Sequence, residues 1–300
     1  MNKTDRSFFQ KGYLMNEYCR VCILEKNLNK IPDGVQADTA QAYREELRAL
    51  MEECRTAPSA AEADKRVKAL RKHFFGVEEE DFGPVKRYFN ALVMEQEPYM
   101  ERCLAQSGDP LRLAVQYAMT GNLVDFAALD SVDENQLMEG IEKAQQIPVP
   151  DDMLRRLEKE IMAAKELLFI VDNCGEIVMD KIMIRLLMRM NPGLHVSVLV
   201  RGAPTVNDAT REDAEQIGLD KICTIVPDWR CGDDRPMKEA FDRADVLISK
   251  GQANYESWNG CGRNVFYILL CKCRLFRDRF QAEKFAGILT HEDEMPPLEL

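Results

Sequence analysis

Glu166-Leu167-Leu168-Phe169-Ile170-Val171-Asp172-Asn173-Cys174-Gly175-Glu176 is the stretch on which the fold turns. Residues 167–171 form a short apolar run, and the polar, glycine-containing turn after it opens into residues 176–190, where apolar side chains recur three and four apart. A strand that passes through a polar turn into an amphipathic helix is the first half of a βα unit. The pattern repeats downstream. Strands are expected at 195–200, 222–226, 246–249 and 265–271, with helices at 208–217, 236–243 and 275–287. Asn191-Pro192-Gly193 and Gly218 are suitable helix stops. This half of the chain therefore reads as α/β with a mostly parallel sheet.

Upstream the pattern is helical from about residue 11 to residue 164, with little β-branched alternation. Residues 43–54, 67–75 and 85–104 carry helical apolar spacing, and Pro32-Asp33-Gly34, Pro58-Ser59 and Gly108-Asp109-Pro110 punctuate them. A charged helix is expected from Asp151 to about Lys165. The expected organisation is a helical domain over 1–164 and an α/β domain over 165–300 that binds metal and phosphate.

Length and composition narrow the class. A chain of 300 residues can bury a large core in two domains. Charged residues interrupt every apolar run, and the N-terminus leads into no apolar signal segment, so a cytoplasmic location is expected. The ten cysteines then read as reduced thiols. A net charge of −11 argues against nucleic acid or an anionic membrane as partner. It would also repel a phosphorylated substrate at long range, so a phosphate site must rest on local cations and backbone N–H groups.

In an open α/β sheet, ligands bind beyond the carboxyl ends of the strands. The residues that follow the expected strands are Asp172-Asn173-Cys174-Gly175-Glu176, Arg201 to Asp208, Lys250 to Glu256, and Lys272; Pro227-Asp228-Trp229-Arg230 follows the third strand and is less distinctive. Two carboxylates, two Asn, two Lys and an Arg thus converge on one edge. Oxygen donors suit a hard cation such as Mg²⁺ or Mn²⁺, with Co²⁺ or Ni²⁺ as further candidates. Gly175 and Gly251 allow close backbone approach to an anion, and the helix starting near Glu176 offers N–H groups. No His joins the set, which disfavours a zinc hydrolase.

The blocks Val171–Glu176, Arg201–Thr210 and Ala244–Glu256 resemble those of the damage-control phosphatase family. Gly121-Asn122-Leu123-Val124-Asp125-Phe126, Leu269-Leu270-Cys271-Lys272-Cys273 and Cys19-Arg20-Val21-Cys22 extend the resemblance in order along nearly the whole chain, the last pointing to the microbial subfamily with an N-terminal Cys-x-x-Cys. The resemblance implies a three-layer α/β/α Rossmann-like domain with a helical domain attached, and metal-dependent removal of phosphate from small phosphometabolites such as sugar phosphates. The family's metal ligands match Asp172, Asn173 and Asp208; its substrate contacts match Glu176, the 252–256 loop with Asn254, and Lys272. The segment after Cys273 is more charged than the family pattern.

Each of these residues also has a plainer reading. Asp172 and Asp208 are each a helix cap or a ligand; Asn207 binds substrate or shapes its turn. Lys250, a Lys-Gly at a strand's carboxyl end, is a phosphate cation or a solvated loop residue, with Arg201 the next candidate for that contact. Asp245 belongs to the opposite edge, and Asp180 is expected to be a surface or packing residue. Cys19 and Cys22 share a helix face and read as thiols before they read as half a metal site. The sequence thus points to a phosphomonoester hydrolase in which Asp172, Asp208 and Lys250 are expected to carry the chemistry and water to attack. An S-adenosylmethionine-dependent methyltransferase would want a richer glycine loop than Asp172–Glu176. A haloacid-dehalogenase-type phosphatase would want Asp-x-Asp, and a metal- or thiol-binding protein would centre on Cys19 and Cys22.

Overall fold

The computed structural model describes residues 16–56, 60–77, 81–124 and 133–294. Asp125 and Phe126 of the fourth block above, and the chain end beyond Glu294, lie outside them. The chain divides into two compact units between residues 80 and 81.

The first unit holds α1 (Glu17–Leu28), α2 (Ala37–Glu53) and α3 (Ala60–Phe75). Tyr43, Leu47 and Met51 fall four apart on α2 and form a buried stripe that packs with Cys54, Ala63 and Val67. Asn16 caps α1 by accepting the Tyr18 N–H at 2.8 Å. Cys22 is exposed on this helix and Cys19 half-buried.

The second unit runs through α4 (Gly83–Gln106), α5 (Pro110–Gly121), α6 (Glu134–Lys143), α7 (Asp151–Ala163), β1 (Glu166–Ile170), α8 (Glu176–Met190), β2 (His195–Val200), α9 (Arg211–Gln216), β3 (Thr224–Pro227), α10 (Arg235–Arg243), β4 (Val246–Lys250), α11 (Gln252–Trp258), β5 (Val265–Leu270), α12 (Arg274–Phe280) and β6 (Gly287–His291). The six strands form one sheet in the order β3-β2-β1-β4-β5-β6, parallel except for β6, which runs antiparallel to β5. Alternate side chains face opposite layers. Phe169, Val198, Ile248 and Ile268 join the core built with α4 to α8. On the other side α10 packs against β1 and β3, and α11 against β4 and β5.

The division falls before α4, not at the expected 164/165 boundary. Helix α5 is buried on every side and packs on α8, β5 and β6, so the later helices share the core of the sheet. The change of pattern at residue 165 marks a change of element type within one unit. Two further expectations are corrected. The segment 275–287 is not one helix: α12 ends at Phe280, Gln281 takes a left-handed backbone (φ 49°), and β6 begins at Gly287. The helix expected from residue 208 begins at Arg211, capped by Thr210 and Asp213 in a reciprocal box.

Among the described residues no helix is long and apolar enough to cross a membrane. None of the ten cysteines forms a disulfide.

Candidate functional site

The strand order reverses direction at β1, which continues to β2 on one side and meets β4 on the other. Loops after β1 and β4 diverge at such a switch point and leave a crevice. Asp172 and Asn173 follow β1 there, and Lys250 and Gly251 end β4.

Two amides tie two carboxylates together at this point. Asn173 Nδ2 donates to Asp172 Oδ2 at 2.9 Å and to Glu176 Oε2 at 3.0 Å. Asn122 Nδ2 donates to the same two oxygens, at 3.1 and 2.9 Å. Asn122 stands just past the C-terminus of α5, and its side-chain Oδ1 accepts the Leu270 N–H at 3.3 Å. The helical segment therefore contributes directly to the site. Its block Gly121-Asn122 was the available signal.

Asp208 reaches the site through its backbone. Asn173 and Asp208 form an isolated antiparallel bridge, and Ala209 N donates to Asp172 O at 2.8 Å. Asp208 is thus neither helical nor a helix cap. Its Oδ2 accepts from Arg201 Nε at 2.5 Å. Arg201 is buried; burial disfavours its charge, but Asp208, Asp172 and Asp228 outweigh that and leave it more basic than usual.

Lys250 corrects an expectation. Its ammonium is fully buried and donates to Glu176 Oε1 at 2.6 Å, Asp180 Oδ1 at 2.7 Å and Ala118 O at 2.8 Å. An ammonium has three donors, and all three are engaged inside the protein. Lys250 therefore holds Glu176 in place and does not offer its charge to a phosphoryl group. The cause is Asp180, one turn along α8 from Glu176, which points into the same interior. Asp180 is fully buried and not a surface residue.

The start of α8 offers less to an anion than expected. The N–H groups of Cys174, Gly175, Glu176 and Ile177 are taken by Asn207 O, Asn90 Oδ1, Cys174 O and Asn173 O. Asn207 is buried, and its Nδ2 donates to Val124 O at 2.9 Å, which fits the plainer reading that it shapes its loop. Asn254 likewise spends its amide nitrogen on Val171 O and Lys250 O, tying β1 to β4. Its Oδ1 is buried and meets no hydrogen-bond donor among the described residues, and the same holds for Asp180 Oδ2. Lys272 lies two residues past β5, at the expected edge, and is buried. Asp245 accepts the Lys165 and Glu166 N–H groups at the start of β1, at the opposite edge as expected.

Among the described residues no three His, Cys, Asp or Glu side chains form a cluster able to hold a metal ion. The Asp172, Asn173 and Asp208 set is two carboxylates and an amide.

The chain matches the model of the damage-control phosphatase ARMT1-like domain over residues 15–287. It is 32% identical over 169 residues to damage-control phosphatase PH1575 of Pyrococcus horikoshii, an alignment covering 54% of this chain and 58% of that protein. It is 28% identical over 244 residues to a damage-control phosphatase of Archaeoglobus fulgidus, covering 78% and 83%. The crystal structure of the DUF89 family protein PH1575 superposes with a TM-score of 0.72 at 23% identity, over 92% of this chain and 98% of that one, and shares its fold. Over nearly its whole length, then, the chain belongs to the damage-control phosphatase ARMT1-like family.

Proposed function

We propose that the protein is a divalent-metal-dependent phosphatase of small phosphometabolites, sugar phosphates among them, with Asp172, Asn173 and Asp208 as the metal-holding residues. One observation carries this reading. Asp172, Glu176 and Asp180 are joined through Asn122, Asn173 and Lys250 into one buried hydrogen-bonded set, in which Glu176 and Asp180 share the one ammonium and Asp172 is held by the two amides. When ionised, the set's three carboxylates outnumber its one ammonium, the nearby charge of Arg201 being shared with Asp208 and Asp228, and buried charge is costly unless it is paired or coordinates a cation. The donors are all oxygens, which suits Mg²⁺ or Mn²⁺. Asn254 Oδ1, in α11 just past the neighbouring strand and without a donor among the described residues, is a further oxygen of the same kind. When bound, a divalent cation offsets charge on the phosphoryl oxygens and favours attack by water.

The chain's own residues have distinct parts in this reading. The two Asn amides fix the Asp172 carboxylate, and Arg201 fixes that of Asp208. Lys250 anchors Glu176, which in turn positions both amides. Lys272, two residues past β5 at the same edge, is the cation assigned to the phosphoryl oxygens. Asp172, held by two amides and close to Arg201, is a poor nucleophile, which favours water. The names of the archaeal relatives point to the same activity.

Phosphate release from an aryl phosphate and from a panel of sugar phosphates tests the proposal. Activity should vanish in EDTA and return with Mg²⁺, Mn²⁺, Co²⁺ or Ni²⁺. Full activity in EDTA would remove the metal, and no release from any compound would remove the phosphatase.

A further inference from the structure

A chain of charges leads away from the crevice. Asp208 pairs with Arg201; Arg201 Nη1 lies 3.7 Å from Asp228 Oδ2; and Asp228 pairs with Arg230 Nη1. Asp228 is fully buried, and its Oδ1 also accepts the Gly202 N–H at 2.9 Å and the Arg230 N–H at 3.0 Å. The loops after β2 and β3 are therefore clamped together. They touch so closely that a Cβ on Gly202 would lie 2.4 Å from Cys231 N.

Arg230 differs from Arg201 in what it leaves open. Its side chain is 28% exposed, and Asp228 takes one of its five N–H donors. No other acceptor for it is present among the described residues. The guanidinium lies over the Trp229 ring, 4.7 Å from the centroid. Trp229 is 40% exposed and braced edge-on by Trp258 of α11, the helix that begins one residue after β4. A planar cation is thus held against Asp228 and the Trp229 ring beside the loops of β2, β3 and β4, with one of its five donors on Asp228. Burial first, and then the neighbouring charge of Arg201, make it less basic than usual, so its charge is under-compensated where it stands.

We propose that Arg230 is the specificity-determining residue of this site and selects phosphate monoesters that carry a second anionic group, a carboxylate or another phosphate. The inference rests on the phosphatase reading above, which places the transferred phosphoryl group beside Asp172 and Asp208. Arg230 then stands two ion pairs along from Asp208, at the far end of a small substrate. A guanidinium fork matches a carboxylate or phosphate with two parallel N–H donors, whereas a neutral hydroxyl would leave it with one weaker contact. Trp229 and Asp228 keep the fork oriented, which lowers the ordering cost of that contact.

The test compares matched probes on the full chain with Mn²⁺. Glycerol 3-phosphate and 3-phosphoglycerate differ in a hydroxymethyl against a carboxylate; fructose 6-phosphate and fructose 1,6-bisphosphate differ in a second phosphate. The wild type should prefer the anionic member of at least one pair by tenfold or more in kcat/KM, and the pair that responds identifies the anion. In Arg230→Met that ratio should fall at least tenfold, and Arg230→Lys should restore part of it. No preference in the wild type, or a ratio unchanged in Arg230→Met whether both rates fall or neither does, overturns the proposal. Should the wild type release phosphate from none of the four, nor from the aryl phosphate, the phosphatase reading fails by itself. Equilibrium binding of the same compounds then decides: a tenfold tighter hold on the anionic member that is lost in Arg230→Met supports the specificity residue, and equal binding overturns it.

Discussion

Gly251 faces the carboxylate of Asp172 so closely that a Cβ placed on it would lie 1.9 Å from Oδ2 and 2.3 Å from Cγ. Its backbone (φ 77°, ψ 167°) also lies in a region open essentially to glycine alone. Gly251→Ala must therefore displace either Asp172 or the end of β4, at about 1–3 kcal/mol of backbone strain besides the clash. A shift of about 1 Å at a reacting centre costs on the order of 100-fold, so kcat/KM should fall at least that far while the far-UV circular dichroism holds. Wild-type kinetics in Gly251→Ala would show that the Asp172 position is not critical.

Asp172→Ala and Asp208→Ala should each abolish calorimetric binding of Mn²⁺ in a folded protein. Asn122→Ala should weaken it by about 10- to 100-fold, the usual effect of losing a partner that orients a ligand. Asn122 touches Asp172 and Glu176 from α5, so this variant separates orientation from ligation. Unchanged affinity in both Asp variants would remove them as ligands.

Lys250→Met should be destabilising before it is anything else. It leaves Glu176 and Asp180 facing each other without their shared cation, a defect of about 3–5 kcal/mol. Adding Asp180→Asn should recover part of that loss, because one buried charge is removed with the cation. Urea unfolding of both variants gives the comparison. A Lys250→Met protein as stable as the wild type, with only KM raised, would return Lys250 to the role of phosphate contact.

Stability should depend on pH through Asp180. Its carboxyl is raised from 3.8 to about 7, chiefly by burial, with Lys250 opposing and the charge of Glu176 adding to the rise. A group that holds its proton more tightly when folded contributes stability that is fully present below about pH 3.8 and is lost as pH rises towards about 7. Asp180→Asn has no such proton to lose. Its stability relative to the wild type should therefore improve steadily between about pH 4 and about pH 7. Thermal midpoints of both proteins in EDTA across that range measure the difference, and a flat difference would show that Asp180 stays ionised throughout.

Much of the sheet was legible because the strands are buried on both faces and so read as short, nearly continuous apolar runs. Residues 195–200 and 176–190 coincide with β2 and α8. Strand β6 was hidden because Gly287-Ile288-Leu289-Thr290-His291 continues a segment with helical spacing. Residues 281–286 separate the two, with left-handed backbone at both Gln281 and Phe285 (φ 49° and 67°).

The placement of Asp172, Asn173, Arg201, Asp208 and Lys272 at one edge followed from the sequence alone, since each ends or follows a parallel strand and parallel strands share a carboxyl edge. What their atoms do there did not. Whether Lys250 faces the crevice or the interior depends on Asp180 standing one helical turn beyond Glu176 and on α5 ending against α8, contacts between residues 70 and 132 positions apart. Asn122 enters the site for the same reason, carried in by a helix 50 residues upstream of Asp172. A buried ammonium goes to the nearest carboxylates that desolvation leaves unpaired, and where those lie is decided by packing, not by order along the chain.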